Sequence, residues 1–232
     1  MKALILSAGL GERLRPITQD IPKVMVPING KPCLQYVIEN LTKQGIKDFA
    51  INTHYLPKII EDYFENGKKF GVNIRYSFEP EILGTSGALN NFRDFFRDTF
   101  LVAYGDIIAD FDLNHILDVH RKNKAEATIV LDSKRNMENK GAVLVCNERV
   151  ISFIEKPGRH IDGAYINSGF YLLEPSVFDI IHEGFSDFGK NILPKLVIQD
   201  RLFWDEHKGY IFDIGTFDGL KKAEEFLRTR II

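Results

Sequence analysis

The sequence predicts an α/β fold, a doubly wound, mostly parallel central sheet that continues into a half with a mixed sheet. Residues 2–7, KALILS, form a largely apolar run, the mark of a strand buried on both faces of a parallel sheet. Strand-like and helix-like segments then alternate through the first half. In the second half strand-like runs follow one another closely before helices return.

After the first strand, residues 34–44, LQYVIENLTKQ, set Leu34, Val37, Ile38 and Leu41 at helical spacing and stop at Gly45. DFAINT (48–53) reads as the next strand, and PKIIEDYFENG (57–67) as a helix opened by Pro57 and stopped at Gly67. VNIRYSF (72–78) is a third strand, a short helix follows Gly87, and TFLVAYGD (99–106) is another buried strand. EATIVLD (126–132), GAVLVC (141–146), RVISFIEK (149–156) and AYINSGFYLL (164–173) are strands, with Asn147 and Glu148 as a hairpin turn. Helices are expected at 175–182, 188–199 and 216–228. Ligands in such sheets sit outside the carboxyl ends of the strands, so the residues after each strand carry most weight.

With 232 residues and 44% hydrophobic content the chain can bury one large core. It reads as a single domain over 1–232, with halves at about 1–110 and about 111–232. Lys plus Arg number 30 against 32 Asp plus Glu, a net charge of −2 with no basic end, which excludes nonspecific nucleic-acid binding. Cys33 and Cys146 have no partner spacing, so neither a disulfide framework nor a thiolate zinc site is indicated and a cytoplasmic location is expected. No stretch approaches the roughly 18 apolar residues of a membrane span.

Residues 7–23, SAGLGERLRPITQDIPK, follow the first strand. Gly9 and Gly11 suggest a turn whose backbone N–H groups can approach a phosphate. The dinucleotide pattern G-x-G-x-x-G fails at Leu14, and Pro16, Pro22 and Pro27 forbid an uninterrupted helix. The pattern G-x-x-x-x-G-K-[ST] fails as well, since Lys23 follows Pro22 and precedes Val24. What remains is a glycine loop and an extended arm carrying Arg13, Arg15 and Lys23, cations suited to a leaving pyrophosphate or, equally, solvated loop charges.

The runs AGLGERLRP (8–16) and PKVMVPINGKP (22–32) resemble the signature of sugar-1-phosphate nucleotidyltransferases, also called nucleotide-sugar pyrophosphorylases. LGTSGAL (83–89), YGD (104–106), EKP (155–157), INSG (166–169) and FDIGT (212–216) are similar to that family's further motifs, in its order. The resemblance implies a Rossmann-like nucleotidyltransferase fold, with a nucleotide-binding half before a sugar-binding half. It implies Mg2+ held by Asp106 and Asp213, and catalytic cations at Arg13, Lys23 and Lys156. Ala8, Gly9, Gly11, Glu12, Arg13, Gly84, Thr85, Gly87 and Gly105 would bind the nucleotide; Gly141, Glu155, Lys156, Asn167 and Gly169 would bind the sugar phosphate.

Glu12 stands where many members carry threonine, Val24 where proline or glutamine is usual, and Ile107 where the thymidylyl branch has asparagine. PKVMVP (22–27) and THY (53–55) look closer to mannose- or heptose-type guanylyltransferases and to uridylyltransferases acting on amino-sugar 1-phosphates. The resemblance therefore implies a guanylyltransferase using GTP and a sugar 1-phosphate, with a uridylyltransferase or a catalytically silent nucleotide-sugar sensor as the alternatives. The chain is expected to be a bare catalytic domain, without the β-helix or dimerising extension of longer members. NFRDFF (91–96) reads as core or as a homo-oligomer interface.

Overall fold

The computed structural model of the chain describes residues 1–133 and 140–229. In chain order the elements are β1 (Lys2–Leu6), β2 (Pro27–Ile28), β3 (Lys31–Pro32), α1 (Cys33–Lys43), β4 (Asp48–Thr53), α2 (Pro57–Phe64), β5 (Asn73–Phe78), α3 (Gly84–Gly87), β6 (Phe100–Tyr104), β7 (Ile107–Ala109) and α4 (Leu113–Lys122). There follow β8 (Ala127–Asp132), β9 (Ala142–Cys146), β10 (Arg149–Ile154), β11 (Tyr165–Leu173), α5 (Leu193–Ile198), β12 (Leu202–Glu206), β13 (Ile211–Asp213) and α6 (Phe217–Arg228).

The chain divides into two compact units. Met1–Ile82, Ala103–Asp110 and the residues from Gly209 onward form the first. Its sheet runs β5-β4-β1, all parallel, with Leu6 opposite Asn52 and Thr53 opposite Phe78. Ala3, Leu4 and Ile5 of β1 and Phe49, Ala50 and Ile51 of β4 are buried on both faces, as their apolar runs predict. In α1 the stripe Leu34, Val37, Ile38 and Leu41 is buried, and the helix ends at Gly45, in the left-handed region, with Ile46 N–H returning to Leu41 O at 3.1 Å. β7 and β13 pair antiparallel, and α6 lays Phe226 on Tyr210 and Phe212, with ring centroids 4.8 and 5.0 Å apart.

Leu83–Val102 and Phe111–Lys208 form the second unit. β8 pairs antiparallel with β11 and parallel with β12; β10 pairs antiparallel with β12 and β9, and β9 returns to β11 through Tyr165↔Val143 and Ile166↔Ala142. Phe92 and Phe96, from the segment expected as core or interface, are buried, with Phe96 stacked on Phe100 at 4.3 Å and Phe100 on Phe178 at 6.0 Å. His120 is buried between Thr128 Oγ1 at 2.8 Å and Glu174 Oε1 at 3.0 Å. Burial lowers its pKa against the pull of Glu174.

The parallel pairing expected of the central sheet holds through β5-β4-β1, and the second unit is the mixed half that was expected, with β8–β11, β9–β11, β9–β10 and β10–β12 antiparallel. For β9 and β10 the reason lies in connection length: they are joined by a turn at Asn147, φ 52°, and so short a link allows only antiparallel neighbours. The helix expected over 188–199 is a π turn, Phe188–Ile192, followed by α5 with Pro194 in its first turn, and 175–182 holds a 3-10 turn, Pro175–Asp179. α4, β12 and the β2–β3 hairpin were not expected.

Ser86 and Gly87 N–H groups both donate to Ser186 O at 3.0 Å, and a methyl added at Gly87 would lie 2.5 Å from Gly184 O. Gly87→Ala is therefore expected to cost about 2 kcal/mol and several degrees of thermal midpoint; an unchanged melting curve would contradict this packing.

Candidate active site

The opening stretch was expected as an extended arm; it is a chain of three 3-10 turns, Glu12–Leu14, Ile17–Gln19 and Lys23–Met25. Pro16 and Pro22 are the N-caps of the second and third turns, while Leu14, Thr18, Val24 and Met25 are buried and anchor them. Gly11, at φ 68°, sits where a methyl would lie 3.1 Å from Thr18 Cβ and from Lys23 Cβ, and Thr18 Oγ1 donates to Gly11 O at 2.7 Å. Beside Gly9 the space is open. Ala8 is buried, whereas Glu12, Arg13 and Arg15 are exposed.

The turn at 23–25 aims Lys23 at the end of β6. Lys23 Nζ donates to Asp106 Oδ2, with side-chain exposures of 13% and 19%. β13 brings the second aspartate alongside: Asp213 is in register with Ile107, and Ile214 N–H donates to Asp106 O at 3.1 Å. Asp213 Oδ1 accepts Gly215 N–H at 2.8 Å. A methyl at Gly215 would lie 2.7 Å from Arg13 Nη2, 2.7 Å from Lys23 Nζ and 2.8 Å from Asp213 Oδ1. Arg13, Lys23, Asp106 and Asp213 therefore meet around one point of the first unit. Burial disfavours the charged form of Lys23, but Asp106, with Asp213 behind it, outweighs that and the opposing Arg13, so its pKa ends above the ordinary lysine value. Gly105 is needed for close approach, since a methyl there would lie 2.8 Å from Ser7 Oγ and 2.9 Å from Leu6 O.

Two carboxylates with hard oxygens suit a divalent cation such as Mg2+, which takes one or two protein carboxylates together with substrate phosphates. Among the described residues no group of three or more His, Cys, Asp and Glu forms a closed metal cage.

The second unit gathers the other predicted residues. A methyl at Gly141 would lie 2.7 Å from Phe153 Cζ and 3.2 Å from Glu155 Oε2; one at Gly189 would lie 2.9 Å from Glu155 Cδ. Asn167 N–H donates to Gly141 O at 3.0 Å. Asn167 builds the irregularity in the β11–β8 ladder: its Oδ1 accepts Gly169 N–H at 2.9 Å, its Nδ2 donates to Tyr171 Oη at 2.7 Å, and Gly169 takes φ 82°. Lys156 is largely exposed, at φ 45°, with Nζ 3.7 Å from Glu155 Oε1. Burial raises the Glu155 pKa; Lys156 and Lys190 oppose the rise and Asp187 adds to it.

Gly84 and Gly87 serve packing, since methyls there would meet the carbonyls of Ser186 and Gly184. Thr85 Oγ1 donates to Asp187 Oδ2 at 3.0 Å and accepts Phe188 N–H at 2.8 Å, so this hydroxyl pins the 186–188 segment. Sequence reasoning missed Gly189, Asp187 and Gly215. Gly189 lies in the segment 188–199 read as plain helix and Asp187 just before it; Gly215 lies within the quoted FDIGT.

A glycine turn with open space beside Gly9, followed by converging charges beyond the ends of the strands, defines a class, the α/β proteins that handle phosphate esters. Residues 2–230 match the family described as Nucleotidyl transferase, and the chain belongs to it. It is 37% identical to a D-glycero-alpha-D-manno-heptose 1-phosphate guanylyltransferase of Aneurinibacillus thermoaerophilus, over 98% of this chain and 99% of that relative. It is 40% identical to a UTP--glucose-1-phosphate uridylyltransferase of Synechocystis over 85% of this chain, but spans only 55% of that relative's length. The crystal structure of HddC from Yersinia pseudotuberculosis complexed with GMP-PN is similar with a TM-score of 0.83 and 28% identity, over 97% of this chain and 99% of that one.

The three atoms nearest a methyl at Gly215 are side-chain ends, of Arg13, Lys23 and Asp213, and not backbone. Gly215→Ala is expected to change stability by less than about 1 kcal/mol while lowering turnover by about tenfold or more. Melting curves and pyrophosphate release check the two halves of that statement.

Proposed function

We propose that this chain transfers a guanylyl group from GTP to a mannose- or heptose-type sugar 1-phosphate, giving a GDP-sugar and pyrophosphate. The observation that carries the reading is the meeting of Arg13, Lys23, Asp106 and Asp213 in the first unit. The guanylyl choice is supported by the full-length likeness to the heptose 1-phosphate guanylyltransferase and by the GMP-PN in HddC.

A phosphate oxygen of the sugar 1-phosphate attacks the α-phosphorus of the nucleotide; the new P–O bond forms as the bond to the β-phosphate's bridging oxygen breaks, and pyrophosphate leaves with that electron pair. Lys23 and Arg13 offset charge on the departing oxygens, and the open space beside Gly9 lets backbone N–H groups approach phosphate. Asp106 and Asp213 would hold Mg2+, which when bound neutralises phosphate charge. In the second unit Glu155 accepts hydrogen bonds from sugar hydroxyls, Gly141, Asn167 and Gly169 shape the pocket wall, and Lys156 takes the sugar phosphate. No covalent intermediate is required, so positioning and electrostatics supply the rate.

Described helices are all too short or too polar to cross a membrane, and both cysteines are free, which fits the cytoplasm. The second reading, uridylyl transfer to a hexose 1-phosphate, is favoured by the 40% identity to the Synechocystis uridylyltransferase.

Pyrophosphate release across GTP, UTP, CTP, ATP and dTTP with a panel of sugar 1-phosphates tests both. GTP with a mannose- or heptose-type sugar is expected to be fastest; UTP dominance favours the second reading, and no release from any pair favours a silent sensor. Lys23→Ala and Asp106→Asn are each expected to lower release by ~10²-fold to 10³-fold in a folded protein. Full Mg2+-dependent activity in Asp106→Asn would refute its metal role.

A further inference from the structure

A buried polar chain crosses the carboxyl ends of three neighbouring parallel strands in the first unit. Ser7, the first residue past β1, is 3% exposed, Asn52 at the end of β4 is 1% exposed, and Glu79, the first residue past β5, is 0% exposed. Ser7 N–H donates to Asn52 Oδ1 at 2.8 Å, and Asn52 Nδ2 donates to Glu79 Oε1 at 2.8 Å. The Glu79 backbone is held as well: its N–H donates to Thr53 O at 2.8 Å, and His54 Nδ1 lies 2.7 Å from its carbonyl oxygen.

We propose that Asn52 and Glu79 are positioning residues for the glycine loop, with Glu79 fixing which end of the Asn52 amide faces Ser7. This inference rests on the reading of that loop as the nucleotide's phosphate site. Leu6 is the last residue of β1 in register with β4, so beyond it the backbone ladder no longer supplies an acceptor. A buried N–H left without one costs free energy, and the Asn52 side chain takes over the ladder's task. An amide has a donor end and an acceptor end of nearly equal shape, and a carboxylate offers only acceptors. Glu79 therefore draws the Nδ2 end and turns Oδ1 to Ser7. A glutamate is rarely buried completely unless a partner requires it, and an apolar residue would fill the space at less desolvation cost. Ser7 is where the loop meets the metal-side strand: Gly105 N–H donates to Leu6 O at 2.9 Å, and Gly105 packs against the Ser7 side chain just before Asp106. Misplacing Ser7 shifts Ala8 to Gly11 without touching any residue assigned to the sugar phosphate.

The test exchanges the two functional groups. In N52D two acceptors face each other; in N52D/E79Q the new amide at 79 donates to the new carboxylate at 52, whose other oxygen still accepts Ser7 N–H. The KM for the nucleotide that the wild-type chain uses is expected to rise about tenfold in N52D. The KM for the sugar 1-phosphate should stay within about twofold, and the double variant should return to within about threefold of wild type. Amide exchange of a peptide covering Ser7–Gly11 gives a readout independent of turnover, faster in N52D and restored in N52D/E79Q. Equal changes in both KM values, unchanged exchange in N52D, or a double variant no better than N52D would each overturn the proposal. Should N52D not fold, E79Q is read in the same way, with a smaller rise in the nucleotide KM alone expected and no rise overturning it. A wild-type chain silent with every nucleotide sinks the proposed function, while the exchange measurement still decides the role of Asn52 and Glu79.

Discussion

Three residue pairs between two short strands carry the site. Ile211↔Ala109, Phe212↔Ile108 and Asp213↔Ile107 bring together stretches from the middle and the end of the chain. Without that pairing the two aspartates would be far apart in sequence with nothing to join them, and Lys23 would have a single carboxylate beside it. The Ile214 N–H bond to Asp106 O extends the same ladder by one step. Side chains of like charge are thus held at close quarters by backbone bonds, and each sign is offset by the other: Arg13 and Lys23 against Asp106 and Asp213.

The glycines sort by what each one faces. Gly84, Gly87 and Gly105 have carbonyl oxygens or strand ends against them, so their lack of a side chain serves the packing of the chain on itself. Gly9 faces open space, and Gly141, Gly189 and Gly215 face the tips of charged or aromatic side chains. The second set leaves room around the side chains gathered in the candidate site.

Much of this was legible in the residue pattern. β1, β4, β8 and α1 announce themselves by runs of apolar residues or by a stripe with a glycine stop, because burial on both faces or on one stripe leaves that mark directly. The two aspartates were picked out by the family motifs YGD and FDIGT in which they stand. The mixed half was legible too, but β12 and its partner were not, since β12 finds β8 from about 75 residues away, a choice no local window records. The arm at 12–25 misled because proline rules out a long helix but says nothing of isolated 3-10 turns. Thr85 stood in a motif read for a ligand, yet its hydroxyl is engaged by Asp187 and Phe188, a contact across about a hundred residues.

The crowding at Gly11 has a consequence for sequence change. A methyl there would lie 3.1 Å from Lys23 Cβ, Thr18 Cβ and Thr18 Cγ2, and the first two are atoms that no rotamer can move away. Positions 11, 18 and 23 therefore form one unit of substitution: a bulkier residue at the first must be answered at both of the others, and one of those carries the ammonium beside Asp106. Drift in this turn is resisted by close contact together with the left-handed backbone of Gly11, before any selection on activity is considered.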